Sequence, residues 1–350
     1  MFEEPVIVLP PAIRENPSEG VGRRSLLLGT AAWCAGAAGC SRGTEASSPA
    51  ARRATPAGAA RASASPAPST GLPAAVPWRP GPGEIEPAAK LAAVRLVEAL
   101  GTWPSGRGGP RNAAQRVAAL GIAGPLAARL AAEAGPLTPP ADQAVVRVID
   151  AQYGGLLPQT ASVLIPCTQT TRTEGVVRQG GTTVDVRLNR TSAGWAVTAL
   201  HPGRPGPAAP LGASARAVLA QPRIELPPAS AADIRSGAVH ENVLRAMLRL
   251  AETYRMSLSV VRSGHPLNVF GTSRPSDHPL GRAFDVWGID GRPIVDPATP
   301  RSLITAFMRS AAATGSYNVG GPVRLSGGVT PNQFFSDDTH HDHVHVGFTG

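Results

Sequence analysis

The sequence predicts an α+β protein that ends in a small antiparallel sheet with packed helices, preceded by a smaller α+β domain. In residues 86–201, apolar residues recur first at helical spacing and then at strand spacing. Both spacings occur again in residues 225–350, and nine of the fifteen aromatic residues lie beyond residue 250. Because one core usually stops growing at about 250 residues, a chain of 350 residues corresponds to two domains plus unstructured sequence.

The first 40 residues have the features of an export signal. Arg23 and Arg24 precede an apolar, Ala-rich stretch that runs to Gly39. The twin arginine followed by Ser-Leu-Leu resembles a Tat signal, which implies export in the folded state. Residues 37–40, Ala-Ala-Gly-Cys, resemble a lipobox, which implies a lipid on Cys40 that anchors the protein in the cell envelope. Cleavage by an ordinary signal peptidase, followed by secretion, is the alternative.

Composition separates the remaining segments. Residues 41–85 are mostly Ala, Pro, Ser and Gly, and they predict a disordered linker because they cannot bury enough apolar surface to become ordered. Residues 86–201 predict two or three helices followed by a small antiparallel sheet, an accessory domain in which no motif indicates a role. Residues 202–224 begin with a Pro-rich stretch and predict a second linker, and residues 225–350 form the last domain.

Charge and cysteine content restrict the partners. A net charge of +9 favours contact with anionic material such as cell-wall polymers or phospholipid head groups. The arginines are not interleaved with aromatic residues as in single-strand-binding proteins, so no nucleic-acid partner is predicted. Lys90 is the only lysine in the chain. Cys167 is expected to be a small buried side chain in a strand, and the three cysteines do not indicate a disulfide framework.

A helix, a strand and a second helix are expected along the last domain. Apolar residues at helical spacing predict a helix over residues 239–254. Alternating residues predict a strand over 256–261, which Gly264 closes. Thr299 is expected to be the N-cap of the next helix, with Pro300 at its first position.

Six of the eight histidines lie beyond residue 260, and this clustering indicates a shared site. His278 and Asp285 are seven residues apart, which is roughly 23 Å on a straight strand and too far for two ligands of one ion. The chain must therefore turn back between them. Pro279 and Gly281 predict this turn, and the small residues Gly281 and Ala283 are expected to let the backbone approach a metal.

Residues 342–348, Asp-His-Val-His-Val-Gly-Phe, predict a strand with two histidines on one face. His343 and His345 are two residues apart, so they share a side while Val344 and Val346 pack on the other. One imidazole can bind a metal while the other faces a substrate. Two imidazoles and one carboxylate leave the fourth position of a zinc ion to water, which is typical of a catalytic site.

The two segments together resemble the LAS group of zinc peptidases, which includes D-Ala-D-Ala carboxypeptidases, penicillin-insensitive murein endopeptidases and the hedgehog domain. The resemblance covers about residues 225–350, and its pattern is Ser276-x-His278-x-x-Gly281-x-Ala283-x-Asp285 followed by His343-x-His345. It implies one zinc ion held by His278, Asp285 and His345. It also implies that His343 is catalytic, that Ser276 lines the substrate cleft, and that the substrates are peptidoglycan peptides.

One departure from the family pattern leaves the general base open. Dipeptidase members carry a glutamate three residues before the last ligand, and this chain has the shorter Asp342 there. The base is therefore one of His343, Asp342 and His340. We favour His343 because it shares the metal-facing side of the strand, whereas Asp342 is expected to orient an imidazole.

A second departure bears on the bond that is cleaved. Carboxypeptidase members carry an arginine for the substrate's terminal carboxylate, and this chain has Ser-Gly-His-Pro at residues 263–266. Arg274 or Arg282 is the available replacement, and His265 is a further substrate contact. Without the usual clamp, cleavage within a cross-linking peptide is favoured over removal of a terminal residue. The alternatives are a non-catalytic zinc-containing protein that binds the cell wall and a zinc amidase for a small molecule. The oligomeric state is not predicted.

Overall fold

The computed structural model describes residues 71–350, which belong to one compact unit. The expected export signal over residues 1–40, the lipidated Cys40 and the linker up to residue 70 lie outside the described residues. Between residues 71 and 350, no helix has the length and apolar character needed to cross a membrane. The predicted α+β class is confirmed, with seven α-helices and twelve strands in this range.

The first half of the described chain has three helices followed by a five-stranded sheet, in the order that the sequence predicts. The strands pair antiparallel in the order β1-β3-β4-β5, and β2 also pairs with β3. One face of α1 is buried against this sheet, and buried residues of α2 and α3 complete the first core. The elements are α1 (Pro87–Gly101), α2 (Pro110–Ala118), α3 (Gly124–Glu133), β1 (Gln143–Val148), β2 (Gln152–Leu156), β3 (Thr160–Thr173), β4 (Val176–Thr191) and β5 (Gly194–Pro202).

The second half contains four helices and a seven-stranded sheet. Its strands follow the order β11-β10-β12-β8-β7-β6, with β9 beside β8. The sheet is antiparallel at its centre, as predicted, but β10–β11 and β6–β7 pair in parallel at its two edges. The elements are α4 (Ala213–Ala220), β6 (Ile224–Glu225), α5 (Pro228–Arg235), α6 (Glu241–Ala251), β7 (Met256–Leu258), β8 (Ala283–Ile289), β9 (Arg292–Pro293), α7 (Arg301–Ala313), β10 (Asn318–Gly320), β11 (Phe334–Phe335) and β12 (Val344–Gly347).

Apolar periodicity explains the second core. Helix α6 buries Val243, Met247 and Leu250 along one face, as the helical spacing predicts. The start of α7 differs from the sequence prediction: its N-cap is Pro300, one residue later than expected. The hydroxyl of Thr299 donates to the carbonyl of Pro293 at 2.6 Å, so this side chain fastens the preceding loop and does not cap the helix.

Two segments expected to be linkers carry ordered structure. Residues 71–85 have no helix or strand, but Trp78 packs on the first core and its backbone N–H donates to Glu98 at 2.9 Å. This large aromatic side chain supplies the apolar contact that the rest of the Ala/Pro segment lacks. Residues 202–224 contain helix α4, which buries Ala215 and Val218 in the second core.

Candidate metal and catalytic site

The turn between His278 and Asp285 forms as the sequence predicts, because Gly281 adopts a conformation that favours glycine. Its φ angle is +71°, and its N–H donates to the carbonyl of His278 at 2.8 Å. A Cβ atom at Gly281 would lie 1.9 Å from the carbonyl oxygen of Ala238. The expectation that this small residue serves an approach to metal is therefore corrected: the glycine makes room for the backbone of residue 238.

Strand pairing brings the three expected metal ligands together. Asp285 on β8 lies directly opposite His345 on β12 in the antiparallel register. The Oδ1 atom of Asp285 is 3.0 Å from Nδ1 of His345 and 3.1 Å from Nε2 of His278, and the two nitrogens are also 3.1 Å apart. Three atoms about 3 Å apart can all lie at about 2 Å from one ion, as zinc requires. We call His278, Asp285 and His345 the donor cluster.

Two of the three donor side chains, His278 and Asp285, are held in place by a further contact. Nδ1–H of His278 donates to the carbonyl of Val261 at 2.9 Å, which turns the lone pair of Nε2 towards the cluster. The side-chain amide of Gln152 donates to Oδ2 of Asp285 at 2.6 Å, so the carboxylate presents Oδ1 to the two histidines. The hydroxyl of Ser259 in turn donates to the amide oxygen of Gln152. Such outer contacts fix the orientation of metal ligands.

Electrostatics favour the protonation states that a divalent cation needs. Burial raises the pKa of the Asp285 carboxyl, but the imidazoles of His278 and His343 outweigh this effect and hold the pKa well below its usual range. Burial lowers the pKa of His345 to about 4, despite its contact with Asp285. At neutral pH the site therefore offers an ionised carboxylate and a neutral imidazole, which are the forms that bind metal.

His343 lies beside the donor cluster with one ring nitrogen on each side. Its Nε2 atom is 3.8 Å from Oδ2 of Asp285, and its Nδ1 atom is 2.6 Å from Oδ1 of Asp342. His343 and Asp342 are both buried. Asp342 also accepts the backbone N–H of Tyr153 at 3.0 Å. A carboxylate in this position fixes the Nδ1–H tautomer of His343 and leaves Nε2 to exchange protons next to the donor cluster.

A second group of histidine and carboxylate side chains lies behind Asp342, and we call it the lysine cluster. Its members with possible metal-binding atoms are Glu84, His341 and Asp342. The ammonium of Lys90 lies among them, 2.6 Å from Oδ2 of Asp342 and in contact with Glu84. Burial lowers the pKa of Lys90, but the carboxylates of Asp342 and Glu84 outweigh this effect and keep the pKa above its usual value. The positive charge of this cluster is therefore supplied by the side chain of Lys90.

The structure places two of the three expected substrate contacts near the donor cluster. The ring of His265 stacks on that of His278, with centroids 4.2 Å apart. Ser276 is buried, and its hydroxyl lies 3.4 Å from Nδ1 of His265. Arg274 is exposed in the preceding loop and does not line the cleft described below. The alternative arginine, Arg282, lies 3.4 Å from the carboxylate of Asp277.

His340, the remaining option for the base, is half-buried beside the site. Its ring is 5.0 Å from that of His343 and 5.9 Å from that of His345. Its Nδ1 atom contacts Asp337 at 2.7 Å. His340 therefore approaches the donor cluster from the side of His345, whereas His343 lies beside the carboxylate of Asp285.

A cleft of about 980 Å³ runs between β4 and β5 of the first core and the loop 262–272 of the second. Its walls carry three arginines and two carboxylates, and it reaches the donor cluster through His265. The charged residues are Arg187, Arg204, Arg262, Glu133 and Asp185, of which Asp185 pairs with Arg187. The donors themselves lie deeper: His278 and Asp285 are 0% and 1% exposed, and His345 is 8% exposed. The arrangement is a cleft lined by charges of both signs, with the donor cluster beneath one wall.

The first half of the chain adds residues to the site that the sequence did not predict. Gln152 and Tyr153 come from β2, while Lys90 comes from α1 and Glu84 from the segment before it. Only Lys90 carried a signal, as the sole lysine of the chain. Gln152 has no distinguishing sequence context, because its role depends on a side-chain contact with Asp285, 133 positions further along the chain.

The chain matches no protein-family model, no curated protein and no solved structure. The family resemblance of residues 276–285 and 343–345 therefore rests on those residues alone.

Proposed function

We propose that this chain is a zinc-dependent peptidase that cleaves cell-wall peptides containing D-amino acids, and that residues 225–350 have a hedgehog- or DD-peptidase-like fold. The observation that carries the proposal is the approach of Nε2 of His278, Oδ1 of Asp285 and Nδ1 of His345 to within 3.0–3.1 Å of one another. Two imidazoles and one carboxylate are the protein ligands of many catalytic zinc sites. The substrate class follows from the resemblance to the LAS peptidases.

The chain's own residues divide the chemistry as follows. The donor cluster would hold zinc, which when bound polarises a carbonyl and makes water acidic enough to attack an amide near neutral pH. His343 accepts a proton at Nε2 and returns it to the leaving amine, since this atom faces the donor cluster. Asp342 holds the opposite ring nitrogen and keeps Nε2 available.

The cleft supports cleavage within a peptide. It extends along both cores for a volume of about 980 Å³, which is large enough for several residues of an extended chain. Arg204 and Arg262 offer guanidinium groups to carboxylates along such a chain, whereas Arg187 is already paired with Asp185. We therefore favour an endopeptidase, in which substrate lies on both sides of the cleaved bond.

The experiment compares wild-type protein with His345→Ala. We expect the wild type to contain one zinc per chain and to release muropeptides from purified peptidoglycan, and the variant to lose both properties. The activity should fall at least about 10³-fold, because a zinc ligand and the associated chemistry are removed together. His240→Ala is the control, since His240 is exposed at the start of α6. Equal muropeptide release by wild type and His345→Ala would exclude the proposal.

The position of His265 next to the donor cluster favours a second candidate, a zinc-containing protein that binds the cell wall without cleaving it. A nitrogen of His265 lies within 4.8 Å of donor atoms of His278 and Asp285, so this residue can act as an additional ligand. A fourth protein ligand is typical of structural zinc sites.

Substitution of His265 separates the two candidates. If His265 is a ligand, His265→Ala weakens zinc binding by more than the ~10- to 100-fold typical of losing an outer contact, and peptidoglycan binding persists without product release. If His265 contacts substrate, zinc affinity changes less than about threefold and the KM for muropeptide release rises. Zinc affinity is measured by competition with a chromophoric chelator.

The proposed site of action is the cell envelope, reached through the export signal and held by a lipid on Cys40. The support is the sequence of residues 23–40, and the proposed partners are peptidoglycan peptides and the membrane. Cys40→Ala should move the protein from the membrane fraction to the medium. Membrane retention of this variant would contradict lipid anchoring.

A further inference from the structure

The single lysine of the chain lies at the candidate active site. The sequence has 33 basic residues, and all except Lys90 are arginine. Lys90 is 0% exposed, whereas lysine is among the residues least often buried without a partner. In a chain that uses arginine everywhere else, a buried ammonium calls for a local physical reason.

The geometry supplies that reason. Nζ of Lys90 lies 2.6 Å from Oδ2 of Asp342, and Oδ1 of the same carboxylate lies 2.6 Å from Nδ1 of His343. The Tyr153 N–H also donates to Oδ2, so two donors hold this oxygen and direct the other towards His343. An ammonium makes such a point contact, whereas a guanidinium donates through a wide planar fork.

We propose that Lys90 is a positioning residue: through Asp342 it fixes the imidazole of His343, so the first core completes the active site of the second. Lys90 contacts neither the donor cluster nor the cleft and acts only through the carboxylate. Its role in catalysis rests on the proposed peptidase function, while its role in ordering His343 does not. The same ammonium occupies the centre of the lysine cluster and makes it a closed ion cluster instead of a second metal site.

Kinetics with a double-mutant cycle test the coupling. We expect Lys90→Met to lower kcat by about 10- to 100-fold and to change KM less than about threefold, because the orientation of an outer contact is lost while the cleft is unchanged. In the Asp342→Asn background, Lys90→Met should lower kcat by less than about threefold, since the carboxylate through which it acts has gone. If the kcat losses of Lys90→Met and Asp342→Asn multiply in the double variant, the two residues act independently and the proposal is overturned.

A spectroscopic measurement decides the positioning role without any activity. Nδ1–H of His343 in a short hydrogen bond should give a low-field proton resonance, assigned by its loss in His343→Gln. We expect Lys90→Met to shift or broaden this resonance in the full-length chain. An unchanged resonance would refute the positioning role even if the enzyme is active. A shifted resonance in a protein that releases no muropeptides would reject the peptidase and retain the role of Lys90.

Two further variants keep the test decisive. Arg129→Met is the matched control, because it removes one positive charge from an exposed ion pair with Glu133 and should leave the His343 resonance unchanged. If Lys90→Met does not fold, the double variant Glu84→Gln/Lys90→Met removes one buried charge of each sign. This variant should show the same change at His343, and an unchanged resonance in it would again refute the proposal.

Discussion

The donor cluster and the lysine cluster are built from the same kinds of residue but differ in the source of their cation. Asp285 in the donor cluster is contacted by imidazoles and by the amide of Gln152. Asp342 and Glu84 in the lysine cluster are contacted by the ammonium of Lys90. Both clusters bring three possible donor atoms close together, 3.0–3.1 Å apart in the donor cluster and within 4.8 Å of one another in the lysine cluster. The difference teaches that a histidine and carboxylate cluster indicates a metal only where the chain does not supply the positive charge itself.

The largest expected effect is on the lysine cluster. Lys90→Met leaves two buried carboxylates without their cation, and breaking a buried ion pair in this way typically costs about 3–5 kcal/mol. Chemical denaturation should report this loss in the free energy of unfolding, with or without zinc. A loss below about 1 kcal/mol would mean that the carboxylates become protonated or hydrated and that the cluster is not closed.

Zinc should stabilise the donor cluster and leave the lysine cluster unaffected. A ligand that binds only the native state at 100 times its Kd stabilises that state by about 2.7 kcal/mol. Thermal unfolding of chelator-treated protein should show a corresponding rise in Tm on adding zinc, and His278→Ala should abolish the rise. Elemental analysis should give one zinc per chain. A second zinc per chain would contradict the difference between the two clusters.

Gly281→Ala should disturb the turn that forms the donor cluster. The added Cβ atom meets the carbonyl of Ala238 at 1.9 Å, whereas the same substitution at Gly291, also at positive φ, meets nothing within 4 Å. Both variants carry the backbone strain of a positive φ, and overpacking should cost Gly281→Ala about 1–3 kcal/mol more. The difference between the two unfolding free energies is the measurement. Equal values would show that the turn relaxes freely.

The smallest expected effect comes from an outer contact of the donor cluster. Gln152→Leu removes the donor to Oδ2 of Asp285 and should weaken zinc binding about 10- to 100-fold, as loss of such contacts typically does. Gln169→Leu is the control, because Gln169 is buried in the first core and donates to the carbonyls of Gly101 and Leu137. Similar zinc affinities in both variants would mean that Gln152 does not orient Asp285.

Sequence reasoning reached local features of the fold and of the candidate site. The helical spacing predicted α6, the alternating residues predicted β7 and β12, and the separation of seven positions from His278 to Asp285 required the turn at Gly281. Each of these inferences depends on neighbouring residues and a regular period. Thr299 shows the limit even there, since its hydroxyl finds the carbonyl of Pro293 in place of the helix end.

What the sequence could not predict depends on contacts between distant segments. Residues 86–201 were assigned no role, yet Gln152 contacts Asp285 across 133 positions and Lys90 contacts Asp342 across 252. Neither residue belongs to a motif, and no local spacing specifies which strand of one core meets the other. Parallel edge pairs such as β6–β7 were missed for the same reason, because a two-residue strand has no period to detect.

The contacts of Lys90, Gln152 and Tyr153 with the second core also bear on how the two cores can move relative to one another. These three residues of the first core donate hydrogen bonds to the buried carboxylates of Asp342 and Asp285 in the second core. Separating the cores would leave both carboxylates without these donors inside the protein, which is costly. We therefore expect the two cores to move as one body, so that His343 and the donor cluster keep a constant spacing.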